Sequence, residues 1–155
     1  MRRGALAGAA AAALWAAVEP GVARLVGAPA GYSDVRLLGA LLTGDGKRWR
    51  SVGLAAHLAN GALFGAAFAR VGARGWRQGL AAAQAENVVL WPCMALLDRV
   101  HPDRRNGAWP RLARNRQVFA YEVTVHALFG VTLGTLSSRA SGRSPRPERP
   151  RSRSA

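Results

Sequence analysis

The chain is 155 residues long, half of its residues are hydrophobic, and 22 Lys and Arg against 8 Asp and Glu give a formal charge of +14. This length corresponds to one domain with a tail, and a single cysteine excludes an internal disulfide and a cysteine-based metal cage. The basic charge raises nucleic-acid binding as a hypothesis. However, the arginines cluster at the ends of apolar segments, which is typical of a small membrane protein, so we expect no nucleic-acid partner.

Four apolar segments each have about the 20 residues that are needed to cross a bilayer. We predict membrane spans at residues 4–25, 52–71, 79–98 and 118–136. The predicted fold class is therefore all-α. We expect an integral membrane four-helix bundle over residues 1–136, with short loops, one interfacial helix and a disordered basic C-terminal tail.

The first span follows Arg2 and Arg3 and is rich in alanine. A basic start and an apolar centre also describe a secretory signal peptide, with cleavage after Ala23 as the alternative interpretation. We favour a span because three further apolar segments follow. The pattern Gly4-x-x-x-Gly8 provides a face on which another helix can pack closely.

The loop between the first two spans, residues 28–50, contains the predicted interfacial helix. Ser33 or Asp34 can cap its N-terminus. The apolar residues that follow share one face, as in a helix that lies on the membrane surface. They are Val35, Leu38, Leu41 and Leu42.

The second and fourth spans carry small and polar residues at every fourth position, which places these residues on one helical face. They are Gly53, His57, Gly61 and Gly65 in the second span and Glu122, His126, Gly130 and Gly134 in the fourth. A face of this composition is suited to contact with other helices rather than with lipid. It also allows a second copy of the chain or another membrane protein as a partner.

The third span contains Pro92, which we expect to kink the helix. A basic loop follows at residues 99–117, and its His-Pro-Asp at 101–103 is interpreted as a turn that terminates a helix. Three tryptophans near the segment ends are interpreted as interfacial anchors. They are Trp49, Trp76 and Trp109.

The C-terminal residues 137–155 contain six arginines, three prolines and almost no apolar residue. This composition predicts disorder. A basic residue close to an anionic leaflet gains about 1 kcal/mol, so anionic lipid is the partner that we expect for the tail.

The expected location is the bacterial cytoplasmic membrane, with the lipid bilayer as the principal partner and both termini in the cytoplasm. With this topology the segments on each side of the membrane carry 11 Lys and Arg, so the positive-inside rule does not decide the orientation. Arg2 and Arg3, directly before the first span, favour a cytoplasmic N-terminus.

Ionisable residues within the spans form the candidate functional site. An acid at bilayer depth costs about 2.5–3.5 kcal/mol, yet three of the four glutamates lie within apolar segments. With a rise of about 1.5 Å per residue, polar residues from all four spans fall near one depth. We predict one intramembrane polar site from these residues: Glu19, His57, Asn60, Glu86, Asn87, Glu122 and His126.

Two interpretations of this polar site stay open. Its side chains either form hydrogen bonds that fix the register of the helices, or they form a site for protons, a metal or a small solute. Glu122 and His126 could share an ion, but neither a pair of Glu-x-x-His repeats nor His-Glu-x-x-His is present. No catalytic motif is found, so enzymatic activity is not favoured and no cofactor is predicted. Haem with His57 and His126 as axial ligands is a further alternative.

Five stretches carry a resemblance to a known group of proteins. They are WAAVEP at 15–20, YSDVRLLG at 32–39, HLANGALFG at 57–65, residues 86–98 with the following HPDRR, and EVTVHALFG at 122–130. Over residues 4–136 the chain resembles the uncharacterised small four-helix integral membrane proteins of GC-rich bacteria. The resemblance implies the fold and carries no established activity with it, so a structural or accessory membrane role is the expected function.

Overall fold

The computed structural model describes residues 1–44 and 46–141. In these residues all regular secondary structure is helical, with seven α-helices and no strand. The helices are α1 (Arg2–Val26), α2 (Asp34–Thr43), α3 (Trp49–Arg70), α4 (Trp76–Leu90), α5 (Cys93–Val100), α6 (Pro102–Arg105) and α7 (Arg116–Ser141). The predicted all-α class is confirmed.

Three helices, α1, α3 and α7, are each long and apolar enough to cross a membrane. Helices α4 and α5 pass the same test only as a pair, which is bent by 53°. The bend lies at Trp91 and Pro92, where proline has no backbone N–H to donate and its ring disfavours a continuous helix. The predicted kink is therefore confirmed, and the described residues contain three helices of spanning length, or four if the bent pair is one span.

The two central helices are α1 and α7, which pack on each other. Helix α1 also packs on α3, and α7 also packs on α4, whereas α3 and α4 have no comparable contact. A space therefore remains between α3 and α4, and it is closed on its other sides by α1 and α7. Helix α2, which is too short to span a membrane, packs on α3.

Glycines stand where these helices cross. At the α1–α3 crossing, a Cβ added to Gly8 would overlap the backbone of Gly61. Because no side chain separates the two backbones, the helices approach closely and gain van der Waals contact. Two other crossings are built in the same way, with Gly39 against Gly53 for α2–α3 and Gly79 against Gly130 for α4–α7.

Residues 27–44, 46–48 and 101–115 form a folded unit that we call the cap. It begins at Gly27, whose φ of 67° lies in the left-handed region and ends α1. Ser33 accepts a hydrogen bond from the backbone N–H of Arg36, so the predicted N-cap of α2 is confirmed. The buried residues of this helix are Leu37, Gly39 and Ala40, while Leu41 and Leu42 stay exposed. Its interfacial position stays a prediction.

Trp109 lies inside the cap, so its interpretation as an interfacial anchor is wrong. Its side chain is 3% exposed, and its ring stacks on His101 at 4.6 Å and contacts Tyr32 at 5.0 Å. The reason is that the turn at 101–103 starts the short helix α6 and directs the loop back onto α2. By contrast, Trp76 is half exposed.

Helix α7 continues beyond the predicted end of the fourth span at residue 136. It extends to Ser141, because no glycine or proline interrupts residues 137–141. The predicted disordered tail therefore begins too early. Its remaining part, residues 142–155, lies outside the described residues.

Candidate functional site

Six of the seven predicted polar residues line one cavity of about 150 Å³. The cavity lies in the space between α3 and α4, with α1 and α7 behind it and the start of α2 above it. The six residues are His57, Asn60, Glu86, Asn87, Glu122 and His126. The seventh, Glu19, faces a neighbouring groove of about 990 Å³ along α1.

Trp15 is the central side chain of the cavity wall. Its ring contacts His57 at 5.0 Å, His126 at 4.7 Å and Phe129 at 5.9 Å, in each case edge to face. The sequence prediction did not include Trp15. It lies one helical turn before Glu19, on the same face of α1, so the spacing rule that grouped the polar residues could have found it.

The hydrogen bonds of the two histidines determine which ring nitrogen carries the proton. His57 Nε2 lies 3.1 Å from the backbone oxygen of Ala12, and His126 Nδ1 lies 2.7 Å from the backbone oxygen of Glu122. A carbonyl oxygen only accepts, so the neutral rings carry their protons on these atoms. The other nitrogen of each ring, Nδ1 of His57 and Nε2 of His126, is left as an acceptor.

Glu122 connects the cavity to the cap. The hydroxyl of Tyr32 donates a hydrogen bond of 2.5 Å to Glu122 Oε1. Burial, and next the charge of Glu122, raise the pKa of Tyr32 well above its usual value. The phenol therefore keeps its proton and remains the donor in this hydrogen bond.

Glu19 is held by partners on two other elements. Its Oε1 accepts a hydrogen bond of 2.7 Å from the hydroxyl of Tyr121 in α7 and one of 2.8 Å from the backbone N–H of Asp34 in α2. Although Glu19 does not line the smaller cavity, it is joined to the same group of side chains through Asp34, which does line it.

Asp34 is the most important residue that the sequence prediction missed. Burial raises its pKa well above the usual value, and the charges of Glu122, Glu19 and Glu86 raise it further. Sequence spacing could not find it, because Asp34 lies outside the predicted spans, at the start of α2, and is interpreted from the sequence only as a possible helix cap. Tertiary folding brings it beside glutamates that are 15 to 88 residues away in the chain.

Polar contacts join the four long segments in a closed circuit. His57 of α3 donates to α1 at Ala12, and Glu19 of α1 accepts from Tyr121 of α7. Gln84 of α4 donates a hydrogen bond of 2.8 Å to the backbone oxygen of Val123 in α7. The circuit is closed between α4 and α3, where Glu86 interacts with the side-chain amide of Asn60. We call these four contacts the polar circuit.

The geometry gives little support to a metal or a haem at this site. Among the described residues no three His, Cys, Asp or Glu side chains are placed to hold a metal ion. A haem ligated by both histidines would need a slot between the imidazoles, but the cavity that they share measures only about 150 Å³ and both rings contact Trp15.

No protein-family model, curated protein or solved structure matches the chain. The resemblance to small four-helix bacterial membrane proteins therefore stays a prediction.

Proposed function

We propose that the chain is a multi-pass membrane protein, in which α1, α3, the α4–α5 pair and α7 cross the bilayer as a four-helix bundle. The length and apolarity of these helices support the proposal. Their outward surfaces support it too, since large apolar side chains stand exposed on three of them: Leu6 at 70%, Leu63 at 71% and Val89 at 73%. Such surfaces are suited to lipid and costly in water.

Extraction of cell membranes with alkaline carbonate tests this assignment. An integral protein stays in the membrane pellet, because its apolar surface remains in the bilayer. Recovery of the full chain in the soluble fraction would refute the membrane assignment. An even number of spans places both termini on one side, which we propose to be the cytoplasm, and a reporter fused at Ala155 that is active only in the periplasm would reverse the orientation.

Within this membrane protein we propose a structural or accessory role, in which the polar circuit holds the four spans in one register. The observation that carries the proposal is that hydrogen bonds join α3 to α1, α1 to α7 and α7 to α4, while Glu86 and Asn60 interact across the space between α4 and α3. Hydrogen bonds between membrane helices contribute about 0.6–2 kcal/mol each. The three hydrogen bonds of the circuit together are enough to select one arrangement among several of similar packing.

Replacing Tyr121 with Phe tests the circuit by removing only the hydroxyl that joins α7 to Glu19 of α1. We expect a loss of about 1 kcal/mol in the free energy of unfolding in detergent. Thr124→Val is the matched control on the same helix, because the Thr124 hydroxyl donates within α7 to Ala120 at 2.8 Å. Equal effects of Tyr121→Phe and Thr124→Val would show that the contacts between helices have no special role.

A second candidate function, the handling of protons or a small polar solute, is favoured by a different observation. The indole Nε1 of Trp15, Oδ2 of Asp34 and Nδ2 of Asn87 are buried without a hydrogen-bond partner of normal geometry among the described residues. A polar network that only stabilises helix packing would not need such atoms, because a structural network contributes most to stability when each of its polar groups is paired.

A further inference from the structure

The charge of the small cavity is its first unusual feature. Its wall includes three carboxyl groups, from Asp34, Glu86 and Glu122, and no Lys or Arg is found among the described residues that line it. The two cavity histidines are hydrogen-bonded to backbone carbonyls as neutral rings would be. Any carboxyl group that ionises in this cavity therefore has no Lys or Arg partner in the wall, and the ring nitrogen nearest to a carboxyl group is His126 Nδ1, 3.6 Å from Glu122 Oε2.

The unpaired polar atoms of the wall are a second and independent feature. Asn87 is 4% exposed, and its Nδ2 has no hydrogen-bond partner among the described residues. Asp34 presents a buried Oδ2 that likewise has no hydrogen bond of normal geometry, and the indole of Trp15 is the side-chain donor that interacts with this carboxyl group. A donor and an acceptor that stay unpaired beside one cavity are paired by an occupant that offers both an acceptor and a donor.

The size and remaining lining of the cavity limit this occupant further. A volume of about 150 Å³ corresponds to about five water molecules at about 30 Å³ each, which is the room that a solute of four or five non-hydrogen atoms needs. Trp15, Trp91 and Phe129 contribute aromatic rings to the wall, and aromatic faces attract cations. Asn60 and Leu90, which line the cavity on the α3 and α4 sides, are exposed, so the wall is not closed between these two helices.

We propose that this cavity binds a small organic cation, a protonated amine of about four or five non-hydrogen atoms that also carries an oxygen acceptor. The ammonium group would donate to Asp34 Oδ2 and to the free acceptor nitrogens of His57 and His126. The oxygen would accept from Asn87 Nδ2. The proposal goes beyond the structural role, and it needs only the folded chain in detergent, so its failure would leave the Tyr121→Phe test of the polar circuit untouched.

Proton release on binding follows from the same arrangement. Burial raises the pKa of Asp34, so that the group binds a proton more readily than an ordinary aspartate. A cation in the cavity stabilises the ionised carboxyl group and lowers this pKa again. Binding should therefore release part of a proton, which appears as a dependence of the binding heat on the ionisation enthalpy of the buffer.

Isothermal titration calorimetry of the full chain in detergent tests the proposal with three probes of nearly equal size. Ethanolamine has both the charge and the oxygen, ethylammonium lacks the oxygen, and ethylene glycol lacks the charge. We expect saturable binding of ethanolamine with a dissociation constant of the order of 1 mM or below. Ethylammonium should bind about tenfold more weakly and ethylene glycol at least about thirtyfold more weakly.

Two variants locate the binding. Asn87→Leu should remove the preference for ethanolamine over ethylammonium, and Asp34→Asn should weaken the binding of both amines and abolish the proton release. Asp103→Asn is the matched control, since it removes a buried carboxylate of the cap whose partner is Arg36, and it should leave the affinity unchanged. Circular dichroism establishes that each variant is folded.

Three results would overturn the proposal. One is the absence of saturable ethanolamine binding to the folded wild-type chain. Another is equal binding of ethylene glycol, which would mean that charge has no part in recognition. The third is unchanged ethanolamine affinity in folded Asn87→Leu and Asp34→Asn, which would place any binding outside this cavity.

Discussion

The cap and the cavity both contain buried carboxyl groups, but the two regions differ in whether an arginine is paired with them. In the cap, Arg36 Nε and Nη2 donate hydrogen bonds of 2.7 and 2.6 Å to the two carboxylate oxygens of Asp103. Arg104 Nε donates one of 2.9 Å to Asp98, at the end of α5. In the cavity, carboxyl groups stand beside one another with no Lys or Arg among the described residues of the wall.

The pKa values of two aspartates express this difference. The hydrogen bonds from Arg36 lower the pKa of Asp103, whereas burial raises the pKa of Asp34. Asp103 therefore has its counter-charge within the chain, while Asp34, at the start of α2 and facing the cavity, depends on protons or on a bound cation to reach the same condition. This contrast agrees with the cation that we propose for the cavity.

The largest effect is expected from breaking the junction of the cap with α5. Asp98 accepts from Arg104 and from the backbone N–H groups of Leu112 at 2.7 Å and Ala113 at 3.2 Å. Asp98→Ala removes the carboxylate partner of Arg104, whose guanidinium keeps its hydrogen bond to the backbone oxygen of Trp109. It also leaves two N–H groups unpaired, and should lower the free energy of unfolding by about 3 kcal/mol. Thermal unfolding in detergent, followed by circular dichroism, measures the loss.

Asp98→Asn is the control for this prediction, because the amide keeps one acceptor oxygen while losing the charge. It should lie between the wild type and Asp98→Ala. A loss below about 0.5 kcal/mol for Asp98→Ala, the size of an ordinary surface substitution, would mean that the cap is not held by this carboxylate.

A second prediction compares how stability depends on pH in Asp103→Asn and Asp34→Asn. The folded-state pKa of Asp103 lies below 3.8, so its contribution is present above that pH and is lost as the pH falls through the folded-state value. The folded-state pKa of Asp34 lies well above 3.8. Its contribution to the stability of the chain is therefore fully present below pH 3.8 and is lost as the pH rises from 3.8 towards the folded-state pKa. The two groups therefore impose opposite slopes on the stability of the wild-type chain.

Melting temperatures of the wild type and both variants across the acid and neutral range test this sign. Asp34→Asn should gain stability relative to the wild type at neutral pH and lose this advantage in acid. Asp103→Asn should be less stable at neutral pH and approach the wild type in acid. If the stability relative to the wild type changed with pH in the same direction in both variants, the comparison of cap and cavity would be contradicted.

A smaller loss of stability is expected when the hydrogen bond between the cap and the cavity is removed. Tyr32→Phe removes the single hydroxyl that joins the cap to Glu122 and should cost about 1 kcal/mol, measured by thermal unfolding in detergent. The ring contacts with Trp109 and Tyr121 remain in this variant. A loss as large as that of Asp98→Ala would mean that the hydroxyl supports more than one hydrogen bond.

The smallest effect is expected from Glu122→Gln, which should change stability by no more than about 0.5 kcal/mol, because the amide oxygen can still accept from Tyr32. Glu122→Leu removes the acceptor and should lower the melting temperature clearly. If Glu122→Leu and His126→Leu together prove harmless or stabilising, the polar contacts of these two side chains do not stabilise the fold.

Local spacing determined much of the helical framework and most of the site. Apolar runs of spanning length predicted where α1, α3, α4 with α5 and α7 lie, and Pro92 predicted the bend, because helix formation and helix breaking depend on neighbouring residues. Polar residues at every fourth position, such as His57 and Glu122, were recognised because a helix repeats on that scale.

Which side chains these residues contact was decided only by the tertiary structure. Tyr32 and Glu122 are 90 positions apart, Arg36 and Asp103 are 67 apart, and no periodic pattern relates such positions. The cap was missed for this reason, since its charged residues have the composition of an ordinary loop until they are paired. Asp34 was missed as well: whether an aspartate after a serine caps a helix or enters a cavity depends on burial and neighbouring charge, which the folded chain alone supplies.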